Sequence, residues 1–331
     1  MDVNEPKTYA VIGAGAIGAY VGAALARGGA EVTLVARGAH LAAMQAAGVR
    51  VESPRGDFHV HPQVTDDVRT IGPVDVVVLA LKAHQIAPIV DQLVPLLQAH
   101  TAVIAMQNGI PWWYFAGDPG PNEGRAIRSV DPDGRIGAAI APERVVGCVI
   151  YSSTEIAAPG VIRHIEGTRY SLGDPIRGIA ARTQAIAADF VAGGLKAPVE
   201  SDIRADIWLK LLGNAAFNPI SALTRATLVE MCDDAPVEAL VREMMEESIA
   251  VASALGVPVT MSIDKRIDGA RRVGAHKTSM LQDLEMRKSF EIEALVGAIV
   301  ELGEISGVPT PATRHVYALT KLLERSILDG R

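Results

Sequence analysis

Aromatic residues make up only 4% of this 331-residue chain, and cysteine occurs twice. A core with so few rings must be built from small aliphatic side chains. Ala, Gly and Val dominate here, the balance of α/β folds in which helices pack closely on strands. Cys148 and Cys232 lie far apart and lack metal-type spacing. That argues against a disulfide framework and a metal centre, and for two reduced thiols in a cytosolic compartment. Positive charge is not in excess: the net charge is −7, which offers no basic face for nucleic acid. No basic segment followed by an apolar one opens the chain, so no secretory signal is expected. Repeats and low-complexity tracts are absent as well. What is present, a 49% hydrophobic content over a length sufficient for two cores, describes a packed globular protein of two domains.

The run Tyr9–Ala26 is 18 residues without a charge, near the lower limit of a membrane span. Its glycines give it another meaning. After a polar lead-in over residues 1–6, Thr8–Ile12 reads as an apolar strand, and Gly13-Ala14-Gly15-Ala16-Ile17-Gly18 follows at once. A small-residue helix to about Arg27 and a second strand, Glu31–Ala36, complete a βαβ unit. Apolar runs at Asp75–Leu81 and Thr101–Met106, with a helix expected over Gln85–Gln98, predict a parallel sheet covered on both faces. Further strands are expected at Val145–Tyr151, Gly160–Ile165, Tyr170–Gly173 and near Ala197–Glu200, with a helix over Ile179–Ala192. The Gly-, Pro- and charge-rich stretch 117–136 reads as a surface insertion, with a hairpin as one shape it can take. After Ser201 the pattern becomes helical: 203–217, about 219–231, 236–255, about 279–304 and 312–328, with Gly256 and Gly307 as helix ends. The expected fold class is therefore α/β. Residues 1–201 form a Rossmann-type dinucleotide-binding domain carrying the insertion, and 202–331 an all-α substrate domain.

In G-x-G-x-x-G the first glycine permits a tight turn, the second lets backbone approach a pyrophosphate, and the third allows close helix–strand packing. Residues 13–18 stand where that pattern is specific, after a strand and opening a helix, whose N-terminal N–H groups favour anions. At the end of the second strand an NAD site usually carries an acid for the ribose 2′-hydroxyl. This chain has Arg37, which suits the 2′-phosphate of NADPH. An arginine that merely ends the strand is the other reading. Lys82 and Asn108 follow two more strands, on the edge where open parallel sheets bind ligands.

Lys210, Asn214 and Asn218 recur every four residues on an otherwise apolar helix, so they share one face. A solvated helix edge would show the same pattern. With a dinucleotide fold ahead of it, the stripe gains a chemical reason. Hydride arriving at a carbonyl leaves negative charge on oxygen, and a positioned ammonium stabilises that charge and supplies the proton. Lys210 is the candidate acid, and Asn214 and Asn218 could bind hydroxyl and carboxylate groups. A second helix is expected to carry Ser279, Asp283, Arg287 and Glu291, again four apart, which alone fits an ion-pair ladder.

These pieces together resemble the ketopantoate reductase (2-dehydropantoate 2-reductase) family over nearly the whole chain: GAGAIG at 13–18, LKAHQ at 81–85, QNG at 107–109, IRADIWLKLLGNAAFNP at 203–219 and SMLQD at 279–283 with Glu291 beyond. The resemblance implies an active site in a cleft between a Rossmann and a helical domain. It implies that Lys210 is the general acid, that Asn108, Asn214, Asn218 and Ser279 bind substrate, and that Glu291 holds substrate and cofactor in register. It also places Arg37, Lys82, Gln85 and Asn108 at the NADPH. The chain departs from the pattern at Thr227 and His276, where some members carry asparagine, and in the aromatic run Trp112-Trp113-Tyr114-Phe115. The expected function is reduction of 2-dehydropantoate to pantoate. A different 2-oxo or 2-hydroxy acid, or a non-catalytic NADP-binding sensor, are the alternatives. The expected partner is a small 2-oxo acid, with no nucleic acid and no membrane, and the apolar helices of the second domain offer a surface for a homodimer.

Overall fold

A computed structural model of the chain describes residues 6–178 and 180–329. Most of the polar lead-in, and the first residue of the helix expected from Ile179, lie outside them. The chain forms two compact units. The first comprises the chain up to Gln107, Phe115–Ala126 and Gly134–Ile203; the second comprises Asn108–Tyr114, Ile127–Asp133 and the chain from Arg204 onward.

In the first unit the elements run β1 Thr8–Ile12, α1 Ala16–Arg27, β2 Glu31–Val35, α2 Gly38–Ala47, β3 Val49–Glu52, β4 Phe58–Val60, β5 Gln63–Thr65 and β6 Val74–Leu79. Then come α3 Val90–Leu93, β7 Leu97–Ala105, α4 Arg135–Ala139, β8 Val145–Ala158, β9 Val161–Gly173 and α5 Ala181–Ala192. The nine strands form one sheet in the order β4-β3-β9-β8-β7-β6-β1-β2-β5. From β5 to β8 every neighbour is parallel, and β6 is buried almost throughout, as its Val-rich sequence requires. The Tyr9–Ala26 run is β1, the glycine loop and α1; no helix among the described residues is long and apolar enough to cross a membrane.

Several local expectations need correction. The sheet is mixed, because β8–β9 and β3–β4 pair antiparallel. The two short strands expected between 160 and 173 are one strand, and near Ala197–Glu200 there are only isolated bridges, from Lys196 and Val199. The helix expected over Gln85–Gln98 is broken into short 3₁₀ turns around the four residues of α3. Pro88 and Pro95 remove the N–H groups a continuous helix needs. The insertion forms no hairpin, and within it Ile127, Val130 and Asp131 are buried. Glu301 accepts from the Arg128 and Ser129 N–H groups at 2.8 Å and from the Ser129 hydroxyl.

The second unit holds α6 Ile203–Thr224, α7 Leu228–Asp233, α8 Ala235–Ala254, α9 Ile263–Val273, α10 Ser279–Glu285, a π-helical turn Glu293–Gly297, α11 Ala298–Ser306 and α12 Pro311–Leu328. Its core joins Leu212, Phe217 and Ile220 of α6 to Val241 and Met244 of α8 and Ile267 of α9, a helix not expected from the sequence. Helix α6 runs through Pro219, where a break between two helices was expected. The single long helix expected over 279–304 does not exist. Helix α10 stops at Glu285, and Arg287 takes a left-handed φ of 52°. Ser279 and Glu291 therefore do not share a helix face.

Candidate functional site

In the first unit the glycine loop is shaped by what its glycines lack. Gly13 has φ +95°, and a Cβ there would lie 2.6 Å from Leu81 Cδ2. A Cβ on Gly18 would lie 2.2 Å from the Gly13 carbonyl oxygen, so the third glycine lets α1 close against the turn. At Gly15 a Cβ would meet nothing within 4 Å: this position faces open space. Ala14 is tied to β2 through the Val35 carbonyl at 2.8 Å, and α1 begins at Ala16 without a side-chain cap or an acid in its first turn. Ile17 packs partly buried against the sheet core. N–H groups at a helix start, with open space at the second glycine, fit a dinucleotide pyrophosphate.

Arg37 stands exposed at the end of β2, in extended conformation, as the N-cap of α2. Three residues on, His40 Nδ1 accepts from the Gly160 N–H at 3.0 Å. Burial pushes the His40 pKa down, against an opposing pull from the Ala14 backbone. Lys82 follows β6, and its N–H donates to Gln85 Oε1 at 3.1 Å. Gln85 thus has a local capping role that its family resemblance did not reveal. Gln107 was passed over in the sequence, yet its Nε2 donates to the Leu79 carbonyl at 2.8 Å and ties the ends of β6 and β7 together. Its only signal was an amide immediately after an apolar strand.

In the second unit, α6 carries Lys210 and Asn214 half-buried and Asn218 buried. Asn108 reaches α6 from a short segment ahead of it. Lys210 Nζ donates to Asn108 Oδ1 at 2.7 Å, and Asn108 Nδ2 donates to Glu291 Oε2 at 3.1 Å. One amide therefore sits between an ammonium and a carboxylate with both its ends used. Asn218 Nδ2 lies 3.5 Å from Ser279 Oγ, at the long limit of a hydrogen bond. These contacts bring Lys210, Asn108 and Glu291 into one group and Asn218 and Ser279 into another. Asn214 stands one turn from both Lys210 and Asn218.

The departures from the family pattern have local explanations. Thr227 forms a capping box with Glu230, both its N–H and hydroxyl donating to Glu230 Oε2 at 2.7 Å, so this position starts α7. The His276 carbonyl accepts from the Leu228 N–H at 3.0 Å and its side chain is exposed. The aromatic run is buried. Trp208 Nε1 donates to the Tyr114 hydroxyl at 2.7 Å, and Arg204 Nε to the Tyr114 carbonyl at 2.8 Å, so Tyr114 packs against α6. Among the described residues no three His, Cys, Asp or Glu side chains are grouped to hold a metal ion.

A sheet whose parallel part carries a glycine loop at its carboxyl edge, followed along the chain by a helical unit, defines the class of dinucleotide-binding α/β proteins. Comparison with known proteins narrows that class. Residues 9–176 match the model of the ketopantoate reductase PanE/ApbA family, and residues 202–324 match its C-terminal model. A 2-dehydropantoate 2-reductase of Mesorhizobium japonicum is 49% identical over 314 residues, covering 95% of this chain and 96% of its own. The crystal structure of a PanE/ApbA family ketopantoate reductase from Ralstonia eutropha JMP134 superposes with a TM-score of 0.83 at 30% identity, covering 97% of this chain and 99% of its own. The chain belongs to the ketopantoate reductase family and is an oxidoreductase. A D-mandelate dehydrogenase solved with NADH and anilino(oxo)acetate shares the fold, with a TM-score of 0.82 at 21% identity over 97% of this chain and 99% of its own.

Proposed function

We propose that this chain reduces 2-dehydropantoate to pantoate with NADPH, Lys210 serving as general acid. One observation carries the reading: the line Lys210–Asn108–Glu291, in which every polar contact is 3.1 Å or shorter. An ammonium has three N–H donors, and Asn108 accepts one, fixing the direction of the group. Glu291 accepts from the amide nitrogen, so the amide oxygen must face Lys210. Lys210 then stabilises charge growing on the substrate carbonyl oxygen and delivers the proton to it. Asn214, Asn218 and Ser279 offer donors and acceptors for the hydroxyl and carboxylate groups of the acid.

The cofactor's share is the hydride, which it supplies when bound. Residues 13–18 would hold its pyrophosphate, supported by the open space at Gly15 and the uncapped start of α1. Arg37 would pair with the 2′-phosphate, supported by its exposed place at the end of β2. Lys82, Gln85, Asn108 and Glu291 belong to the nicotinamide end in this reading. In this reading residues 1–201 hold most of the cofactor and 202–331 most of the substrate, with Asn108 and Glu291 serving both. The chain works as a cytoplasmic enzyme, and as a homodimer through its helical unit, where Leu319 and Leu322 of α12 are more than half exposed. Sedimentation as a monomer would remove the dimer.

Lys210→Ala tests the mechanism: turnover should collapse while NADPH binding persists, and retained turnover would sink it. Arg37→Ala tests the cofactor, because NADPH affinity should fall much further than NADH affinity. A second reading, a different 2-oxo acid, is favoured by Thr227 serving as a helix cap and His276 pointing its side chain to solvent. A panel of branched and aryl 2-oxo acids decides it; faster turnover of another acid displaces 2-dehydropantoate.

A further inference from the structure

Glu291 does not ride on a helix as Lys210, Asn214 and Asn218 do. It stands just ahead of the π-turn Glu293–Gly297, and such turns occur frequently at functional sites. Two features of this turn reach the Lys210 group. The Ala294 carbonyl accepts from the Ile110 N–H at 2.9 Å, two residues from Asn108. Between them Gly109 has φ +86°, and a Cβ there would lie 2.2 Å from the Ala294 oxygen. The π-turn and the Asn108 segment therefore fit together only through a glycine.

On its other side the π-turn is held by α12. The Tyr317 hydroxyl donates to Glu293 Oε2 at 2.7 Å. Lys321 Nζ lies 2.8 Å from Glu293 Oε1 and 3.0 Å from Glu324 Oε2. Glu324, only 8% exposed, uses its second oxygen to accept from the Phe290 N–H at 2.8 Å, the residue immediately before Glu291. Burial pushes the Tyr317 hydroxyl pKa up, as does the bond to Glu293, so it stays a donor. Burial opposes charge on Lys321, but the hydrogen bonds to Glu293 and Glu324 outweigh it and raise its pKa. The ladder thus keeps its ion pairs and spans about two turns of α12, from Tyr317 to Glu324, with its contacts on the Glu291 segment.

We propose that Glu324 is a positioning residue for the reaction: through the Phe290 N–H and the Lys321–Glu293–Tyr317 ladder it sets the Glu291 segment so that Asn108 is aimed at Lys210. The proposal rests on the reading of Lys210, Asn108 and Glu291 as the reacting site. Glu324 touches no reacting group; its effect passes through backbone, and misplacement by about 1 Å is enough to cost up to about a hundredfold in rate.

The test uses the full chain with NADPH and its best 2-oxo acid, comparing Glu324→Ala, Glu324→Gln, Tyr317→Phe and Lys210→Ala by kcat, KM and Tm. Glu324→Ala should lower kcat by about tenfold or more with KM within about twofold. Glu324→Gln keeps an oxygen to accept from Phe290 and should recover most of the rate. Tyr317→Phe should lower kcat by a smaller factor. Wild-type kcat in Glu324→Ala, or a loss the glutamine does not relieve, overturns the proposal. So does a change in KM alone. If Glu324→Ala does not fold, an unchanged kcat in Tyr317→Phe overturns it. Full turnover in Lys210→Ala instead removes the site reading and the proposal with it. Collapse there with no effect at Glu324 removes the proposal alone.

Discussion

Between Gly13 and Gly18 the first unit makes a binding surface by leaving atoms out, whereas around Lys210 the second unit makes one by bringing polar groups together. The loop lies within six consecutive residues, and two of its glycines would clash with a neighbour if given a Cβ. The Lys210 group joins residues separated by 102 and 183 positions. A void of this kind is maintained by close approaches that admit no Cβ at Gly13 or Gly18 and by open space at Gly15. A polar group is maintained by partners, each of which must be present and correctly aimed. The first kind of site should therefore fail sterically and the second electrostatically.

The largest effect should come from Lys210→Ala, a loss of about 10²–10⁴ in kcat, the usual range for a general acid, with the Tm nearly unchanged. A fall in Tm that accounted for the lost rate would blur the contrast between the two sites. Next is a pair within the loop. Gly18→Ala should cost about 1–3 kcal/mol of stability, because its Cβ would overlap backbone at Gly13. Gly15→Ala should leave the Tm within about 1 °C yet weaken cofactor binding, since its Cβ enters only open space. Thermal melts with and without NADPH separate them, and equal destabilisation would refute the division of labour. Arg37→Ala should weaken NADPH by about tenfold or more relative to NADH, in the range of one lost charged hydrogen bond.

The smallest effect concerns His40, which accepts from the Gly160 N–H. Its folded pKa lies below the ordinary value, chiefly through burial. Above about pH 6.5 the ring is neutral in both folded and unfolded chains and contributes no pH dependence. As pH falls through that value the unfolded chain takes the proton first, so stability is lost down to the lower folded pKa. Wild type should therefore lose more stability than His40→Gln between about pH 7.5 and about pH 5.5 in urea melts. Parallel loss in both would show that other groups carry the acid sensitivity.

How much could be read in advance follows the same division. The glycine loop, Arg37 and the Lys210–Asn214–Asn218 stripe are local patterns, and each stands on the strand or helix that its spacing implied. The ladder from Ser279 to Glu291 was misread because a four-residue spacing assumes an unbroken helix. Arg287 leaves that helix with a left-handed φ, which no propensity announces. Pro88 and Pro95 mark the break in the helix ahead of β7, although the apolar periodicity of the segment favours a continuous one. The Glu293–Lys321–Glu324 ladder had no signal at all, since three charged residues in amphipathic helices look like solvated surface.

The sequence by itself determined the family, the α/β fold followed by helices, the glycine loop and the lysine stripe, because these depend on residues a few positions apart and on the periods of strand and helix. Only the tertiary structure decided which amide Lys210 meets, where Glu291 stands and what holds it there. The contacts among Lys210, Asn108 and Glu291 join side chains more than a hundred residues apart, those that hold the Glu291 segment cross from α12 to the Phe290 N–H and Glu293, and the arrangement depends on a π-turn, a positive φ at Gly109 and a buried carboxylate on α12. Such features arise from packing, which fixes position in space without leaving a period in the chain.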